Sequence, residues 1–231
     1  MNISRFKCLS FDCYGTLIDW ETGLLGALRP ILARHAVQVG DARLLESFAD
    51  AESRAEAGSY RPYKEILCDV LRALGTEFEF QPATTDETAF SLSVRDWPAF
   101  GDSTEALRAL QKRFRLIILS NIDDDLFRFS QERLGVDFDA IFTAQKIGSY
   151  KPSESNFRYL LEHAGVEKDE ILHVAQSLYH DIGPAKRLGI STVWVHRRHG
   201  QSGAGATPAA EALPDLEVPD LTSLVESMQQ T

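Results

Sequence analysis

Five short apolar runs, residues 6–11, 116–119, 140–143, 171–175 and 192–195, recur along the chain with helical patterns between them. Each is rich in β-branched or aromatic side chains, and each is too short for a buried helix. Strands that alternate with helices pair in parallel, because the helix carries the chain back across the sheet. The pattern therefore predicts an α/β fold, a Rossmann-like parallel sheet with helices on both faces. Start signals mark several helices. Asp102 lies three residues before Glu105 and ahead of Leu107, Leu110 and Phe114, and Ser153 precedes Phe157, Leu160 and Leu161. A last short strand is expected at 216–218. After it, Asp220 opens a final amphipathic helix through Leu221, Leu224, Val225 and Met228.

The first two strands are separated by far more chain than a crossover needs. Residues 19–96 read as almost wholly helical. One stripe runs through Leu24, Leu25, Leu28, Ile31 and Leu32, and another through Tyr63, Ile66, Leu67, Val70, Leu71 and Leu74. Both read as packing faces. The expected organisation is an α/β core of residues 1–18 and 97–231 with a helical cap inserted at 19–96. Trp20 and Trp97 bracket that insertion. The small-residue segment 200–210 reads as a mobile loop, its glycines wrongly spaced for a nucleotide fingerprint.

With 44% hydrophobic residues in 231, the chain can bury a sizeable core. Its net charge of -10 repels nucleic acid and anionic membrane surface, so neither is an expected partner, and an anionic substrate needs a local cation. The N-terminal apolar stretch is too short for a signal peptide, and nothing approaches the ~18 unbroken apolar residues of a membrane span. A cytoplasmic location is expected. Three cysteines without paired spacing suggest reduced thiols, with Cys8 and Cys68 in the interior, and no zinc site.

The first strand runs directly into Asp12-Cys13-Tyr14-Gly15-Thr16-Leu17. A carboxylate at the C-terminal end of a parallel strand lies in the crevice where open α/β sheets bind ligands. On this segment alone, Asp12 reads equally as a nucleophile or as a cap on a strand-to-helix turn. Gly15 permits the tight turn, and the Thr16 hydroxyl can bond near the carboxylate. Three later segments shift the balance, each falling at or beyond a strand end: Ser120-Asn121, Lys151-Pro152 and Asp181.

Together these segments resemble the four signature motifs of the haloacid dehalogenase superfamily, spanning the core from Phe11 to about Arg197. The resemblance implies that Asp12 is the nucleophile, that Ser120 and Asn121 bind the substrate's anionic group, and that Lys151 orients and charge-balances Asp12. Asp181 would help position or activate water. Phosphatases of this superfamily carry a second Asp two residues after the nucleophile to protonate an alkoxide; here that position is Tyr14. Halide is a weak base that needs no proton. The string from Phe11 to Asp19 thus resembles the L-2-haloacid dehalogenases, in which the aspartate displaces halide from C2 of a 2-haloacid and water then hydrolyses the ester with inversion. Gln176 stands where metal-dependent members place a further acid, so the resemblance implies neither metal nor other cofactor. Thr16 joins the catalytic set, and Tyr14, Gln176 and Ser177 the substrate contacts.

The family's cap arginine, which contributes to halide binding, has two candidates here. Arg61 is preferred because it sits in Tyr60-Arg61-Pro62-Tyr63 at an expected helix start; Arg43 is the other. Arg61 reads equally as a surface arginine beside a turn proline. Leu178 stands where family members commonly have Asn, and Phe157 where they often have Tyr. The histidines 173, 180, 196 and 199 lack ligand spacing and read as incidental, His180 being the one to watch beside Asp181. Asp123, Asp124 and Asp125 are explained by the dipole of the helix they open. Family members are often dimers, so a homodimer is expected by analogy. The competing readings are a superfamily phosphatase acting on a small phosphorylated metabolite and a catalytically silent binding protein.

Overall fold

A computed structural model describes residues 1–201 and 203–228. Six strands form one sheet: β1 (Cys8–Phe11), β2 (Arg115–Ser120), β3 (Ala140–Thr143), β4 (Ile171–Ala175), β5 (Ser191–Val195) and β6 (Leu216–Val218). Their order is β3-β2-β1-β4-β5-β6, and every pairing is parallel. The chain winds outward from β1 in one direction and then restarts at β4 on its other side. The crevice between the C-terminal ends of β1 and β4 is therefore the topological switch point.

Every residue of β1 and of β4 is buried, as a parallel sheet covered on both faces requires. Alternation along the strands feeds two cores. Cys8, Ile117, Leu119 and Ile171 pack on one face with Phe157, Leu160 and Ala185. Leu9, Phe11, Leu116, Ile118 and Val174 pack on the other with Leu107, Leu126 and Leu224.

Between β1 and β2 lie five α-helices, of which four precede residue 97: α1 (Trp20–Arg34), α2 (Asp41–Glu56), α3 (Tyr63–Glu77) and α4 (Thr84–Leu92). Both expected stripes are inward faces; only Leu25 is partly exposed. The remaining helices are α5 (Ser103–Leu110), α6 (Asp124–Leu134), α7 (Ala144–Ile147), α8 (Glu154–His163), α9 (Gly183–Arg187) and α10 (Leu221–Ser227). Ser153 and Asp220 cap α8 and α10 as their positions suggested. Asp102 does not cap α5 with its side chain. Its carboxylate instead accepts from Arg197 Nη1 at 2.9 Å and from the Leu221 N–H at 2.7 Å, binding the start of α10 to the core.

Two other expectations change. Cys68 is only half-buried, whereas Cys13 is fully inside. Ser202, within the segment expected to be mobile, lies outside the described residues, but Gly205, Ala206 and Thr207 of that segment are buried. Among the described residues no helix is long and apolar enough to cross a membrane.

Asp86 fastens α4 to α1. Its carboxylate accepts from Arg34 and His35 and from the Ala83 N–H, and these bonds, Arg34 foremost, hold it down at about 2. A depressed carboxylate contributes stability above its unfolded value near ~3.9 and loses it as pH falls through the folded one. Asp86→Asn should cost about 1 kcal/mol at pH 7, a modest figure because the Arg34 guanidinium is half-exposed and screened. Urea unfolding should show that deficit vanish as pH approaches 2.

Candidate active site

Asp12 is the first residue after β1. Its N–H donates to the Val174 carbonyl of β4, which fixes the turn out of the sheet at the switch point. Gly15 then takes φ +88°, a left-handed conformation suited to glycine, and a Cβ there would press on the Trp20 indole and the Gln176 side chain. This turn brings the Thr16 hydroxyl back to donate to Asp12 Oδ2 at 2.6 Å. Thr16 is held in turn by the Gln176 N–H, which donates to its oxygen at 2.9 Å.

Lys151 reaches Asp12 from the loop between α7 and α8 and is 2% exposed. Its ammonium donates to Asp12 Oδ1 at 2.8 Å, Asp181 Oδ1 at 2.7 Å and the Leu119 carbonyl at 3.0 Å, so all three protons are used. Burial opposes the charge, but the two carboxylates win and raise the ammonium above its ordinary value. Burial likewise pushes Asp12 up, against the pull of Lys151 and Thr16. Asp181 is buried too, yet Lys151 and His173 hold it below the usual carboxylate range.

Asn121 braces the lysine. Its Oδ1 accepts from the Lys151 N–H at 2.7 Å, and its Nδ2 donates to the Lys151 carbonyl at 2.9 Å and to Glu56 of α2. Among the described residues, Ser120 Oγ, 3% exposed, has no hydrogen-bond partner, and neither has Asp181 Oδ2. Tyr14 points elsewhere: its hydroxyl pairs with Ser130 Oγ on α6 at 2.9 Å, and its ring meets Trp97 edge-on. Burial keeps that phenol well above its ordinary value, hence protonated. Ser177 caps the turn that carries His180 and Asp181. His180 is pushed down to about 4 by burial and is neutral at pH 7.

These groups share one cavity, lined by Asp12, Tyr14, Ser120, Asn121, Lys151, Gln176, Ser177 and Asp181. Arg61 is not among them. It pairs with Asp69 at 2.7 Å on the outside of α3, and only its carbonyl is engaged inward, by the Tyr150 hydroxyl. Arg43, paired with Glu77, is also exposed. The arginine expectation is therefore corrected. α3 presents an inward apolar stripe, and the cations beside it are held outside by carboxylates.

The α2 side of the cavity carries acids instead, Glu52 and Glu56. Sequence reasoning missed them because a carboxyl on an amphipathic helix reads as solvated face. It also missed three supports. His173 on β4 is not incidental: Nε2 bonds Asp181 Oδ1 at 2.9 Å and Nδ1 bonds Ser10 Oγ at 2.9 Å. Ser10 and His173 are register partners, and two polar residues interrupting adjacent buried strands was the available signal. Asp123 does not serve its own helix; its carboxylate accepts from the N–H groups of Tyr63 and Lys64, capping α3 from the core. Thr207 reaches the cavity wall from the glycine-rich segment and bonds Gln176.

The cluster can do one thing well. A carboxylate fixed by an ammonium and a hydroxyl is presented to a small cavity, beside a second ionised carboxylate able to orient water.

Residues 6–189 match the model of the haloacid dehalogenase-like hydrolases. The chain is 30% identical to a 5-amino-6-(5-phospho-D-ribitylamino)uracil phosphatase of Escherichia coli (strain K12), over 96% of each. It is 24% identical to (S)-2-haloacid dehalogenase 1 of Pseudomonas sp. (strain CBS-3), over 91% of this chain and 94% of that one. The solved L-2-haloacid dehalogenase of Xanthobacter autotrophicus superposes with a TM-score of 0.78 at 20% identity, covering 97% of this chain and 98% of its own, a likeness of fold.

Proposed function

The chain belongs to the haloacid dehalogenase-like hydrolase family, and from that premise we propose that it hydrolyses short 2-haloacids, turning an (S)-2-haloacid into the (R)-2-hydroxyacid and halide. The observation that carries this reading is the Tyr14 hydroxyl bonded to Ser130. Two residues after the nucleophile there is no acid to protonate an alkoxide, and halide departure needs none.

An oxygen of Asp12 attacks C2, and the carbon–halogen bond breaks as the ester bond forms, with inversion at C2. Ser120 Oγ, which has no hydrogen-bond partner among the described residues, binds the substrate carboxylate. Asp181, kept ionised by Lys151 and His173, orients a water that attacks the carbonyl carbon of the Asp12 ester. Of that water's two protons, one passes to Asp181 and on to solvent and the other to the departing alkoxide, so the hydroxyacid leaves with an oxygen from Asp12 and the carboxylate is regenerated. In this reading residues 19–96 act as a cap over a core of residues 1–18 and 97–231.

The donor set does not fit a divalent cation. Lys151 lies between the two carboxylates, and the position five residues before Asp181 carries the neutral amide of Gln176. Among the described residues no group of three or more His, Cys, Asp or Glu side chains is arranged to hold a metal.

The 30% identical phosphatase favours a second reading, hydrolysis of a phosphate ester. One assay separates them. With EDTA present, the protein should release halide from L-2-chloropropionate and not from the D enantiomer. Phosphate release from small esters that requires Mg²⁺, with no halide from either enantiomer, would establish the second reading instead.

A further inference from the structure

Two carboxyl groups in the cavity take no part in the reaction proposed above. Glu52 and Glu56 stand one turn apart on α2, so they share a face, and both line the cavity that holds Asp12 and Lys151. Glu52 accepts from the Tyr63 hydroxyl, and Glu56 receives only long bonds from Asn121 Nδ2, at 3.2 and 3.4 Å. Among the described residues neither is paired with a cation. Burial pushes Glu52 up to about 8 and Glu56 well above its ordinary value. A carboxyl buried without a counter-charge weakens a fold, so packing alone gives no reason for Glu52, and Glu56 beside it is half-buried and faces the same cavity.

The rest of the cavity has the same sign. Four carboxyl groups, Asp12, Glu52, Glu56 and Asp181, face one ammonium, Lys151, whose protons are all taken. Two buried polar atoms on its wall, Ser120 Oγ and Asp181 Oδ2, also lack any partner, which marks the cavity as one completed by a polar ligand.

We propose that Glu52 and Glu56 form a subsite for a positively charged nitrogen, so that the favoured substrate is a short 2-haloacid bearing an ammonium group at the end away from its carboxylate. This rests on the dehalogenase reading. An ammonium offers three donors and no acceptor, the complement of ionised carboxylates. Its arrival supplies the opposite charge that lets a buried glutamate ionise, and the resulting charge-assisted bonds are about twice as strong as neutral ones. A second carboxylate on the substrate would meet four acids, and an apolar tail would strand two.

The test is calorimetric titration of the whole protein with two unreactive product analogues, 2-hydroxybutanoate and 4-amino-2-hydroxybutanoate. The amino compound should bind about tenfold tighter or more. In the Glu52→Gln, Glu56→Gln double variant that ratio should fall toward one. Equal or weaker binding of the amino compound to the unaltered protein, a ratio that survives in the variant, or binding of neither compound would overturn the proposal. Halide release from 2-chlorobutanoate and 4-amino-2-chlorobutanoate separates the two claims. Release without an amino preference in binding or rate sinks the subsite alone. An amino preference in binding with no release from either compound sinks the reaction and leaves the subsite standing.

Discussion

Asp12→Asn is expected to lower halide release by about 10⁴-fold or more, the scale seen when a nucleophile is removed from a covalent mechanism. The amide is nearly isosteric, so Thr16 can still donate to its oxygen, and Lys151 keeps Asp181 as partner. Binding of a 2-hydroxyacid product should therefore survive where turnover does not. Residual turnover within tenfold of the parent would mean that water attacks the substrate directly and that Asp12 only positions it.

Lys151→Met should be the most damaging single change to both fold and activity. It leaves Asp12 and Asp181 buried side by side with no counter-charge, and breaking a buried ion pair from one side costs about 3–5 kcal/mol. The sign with pH follows from the protons. In the parent, Asp181 is held low by Lys151 and His173, so its contribution is present above the ordinary carboxylate range and is lost as pH falls. In the variant both carboxyls are raised in the folded state, which then binds protons more avidly than the unfolded chain. The deficit should be small at pH 4 and full at pH 7.5, read by urea unfolding at each. Turnover should fall by about 10³-fold or more, because neither carboxylate keeps its charge or place.

How much of this was legible in the sequence depends on what each residue does with its neighbours. The strands were readable because a buried parallel strand is a short continuous apolar run, and β3, β4 and β6 begin and end where those runs do. Asp12, Ser120, Lys151 and Asp181 meet in one cavity because each lies at or beyond the C-terminal end of a strand, and those ends converge in a parallel sheet. What stayed hidden depends on pairs far apart in sequence. Arg61 was preferred for its aromatic neighbours, but it precedes α3 and pairs with Asp69 of that helix outside the cavity. The Asp123 carboxylate looked like an aid to its own helix and instead caps α3, some 60 residues earlier. Glu52 and Glu56 carry no mark of an inward place in their local pattern. Their place on the cavity wall follows from how α2 packs over the core.

The central claim is that Asp12 forms an ester with the substrate, and the most direct test follows one oxygen atom. Enzyme in excess over L-2-chloropropionate would be allowed a single turnover in heavy-oxygen water, and both the lactate and the peptide containing Asp12 would be weighed by mass spectrometry. The account predicts that the heavy oxygen enters the Asp12 carboxylate and that the lactate carries none. Heavy oxygen in the lactate, with Asp12 unlabelled, would contradict it.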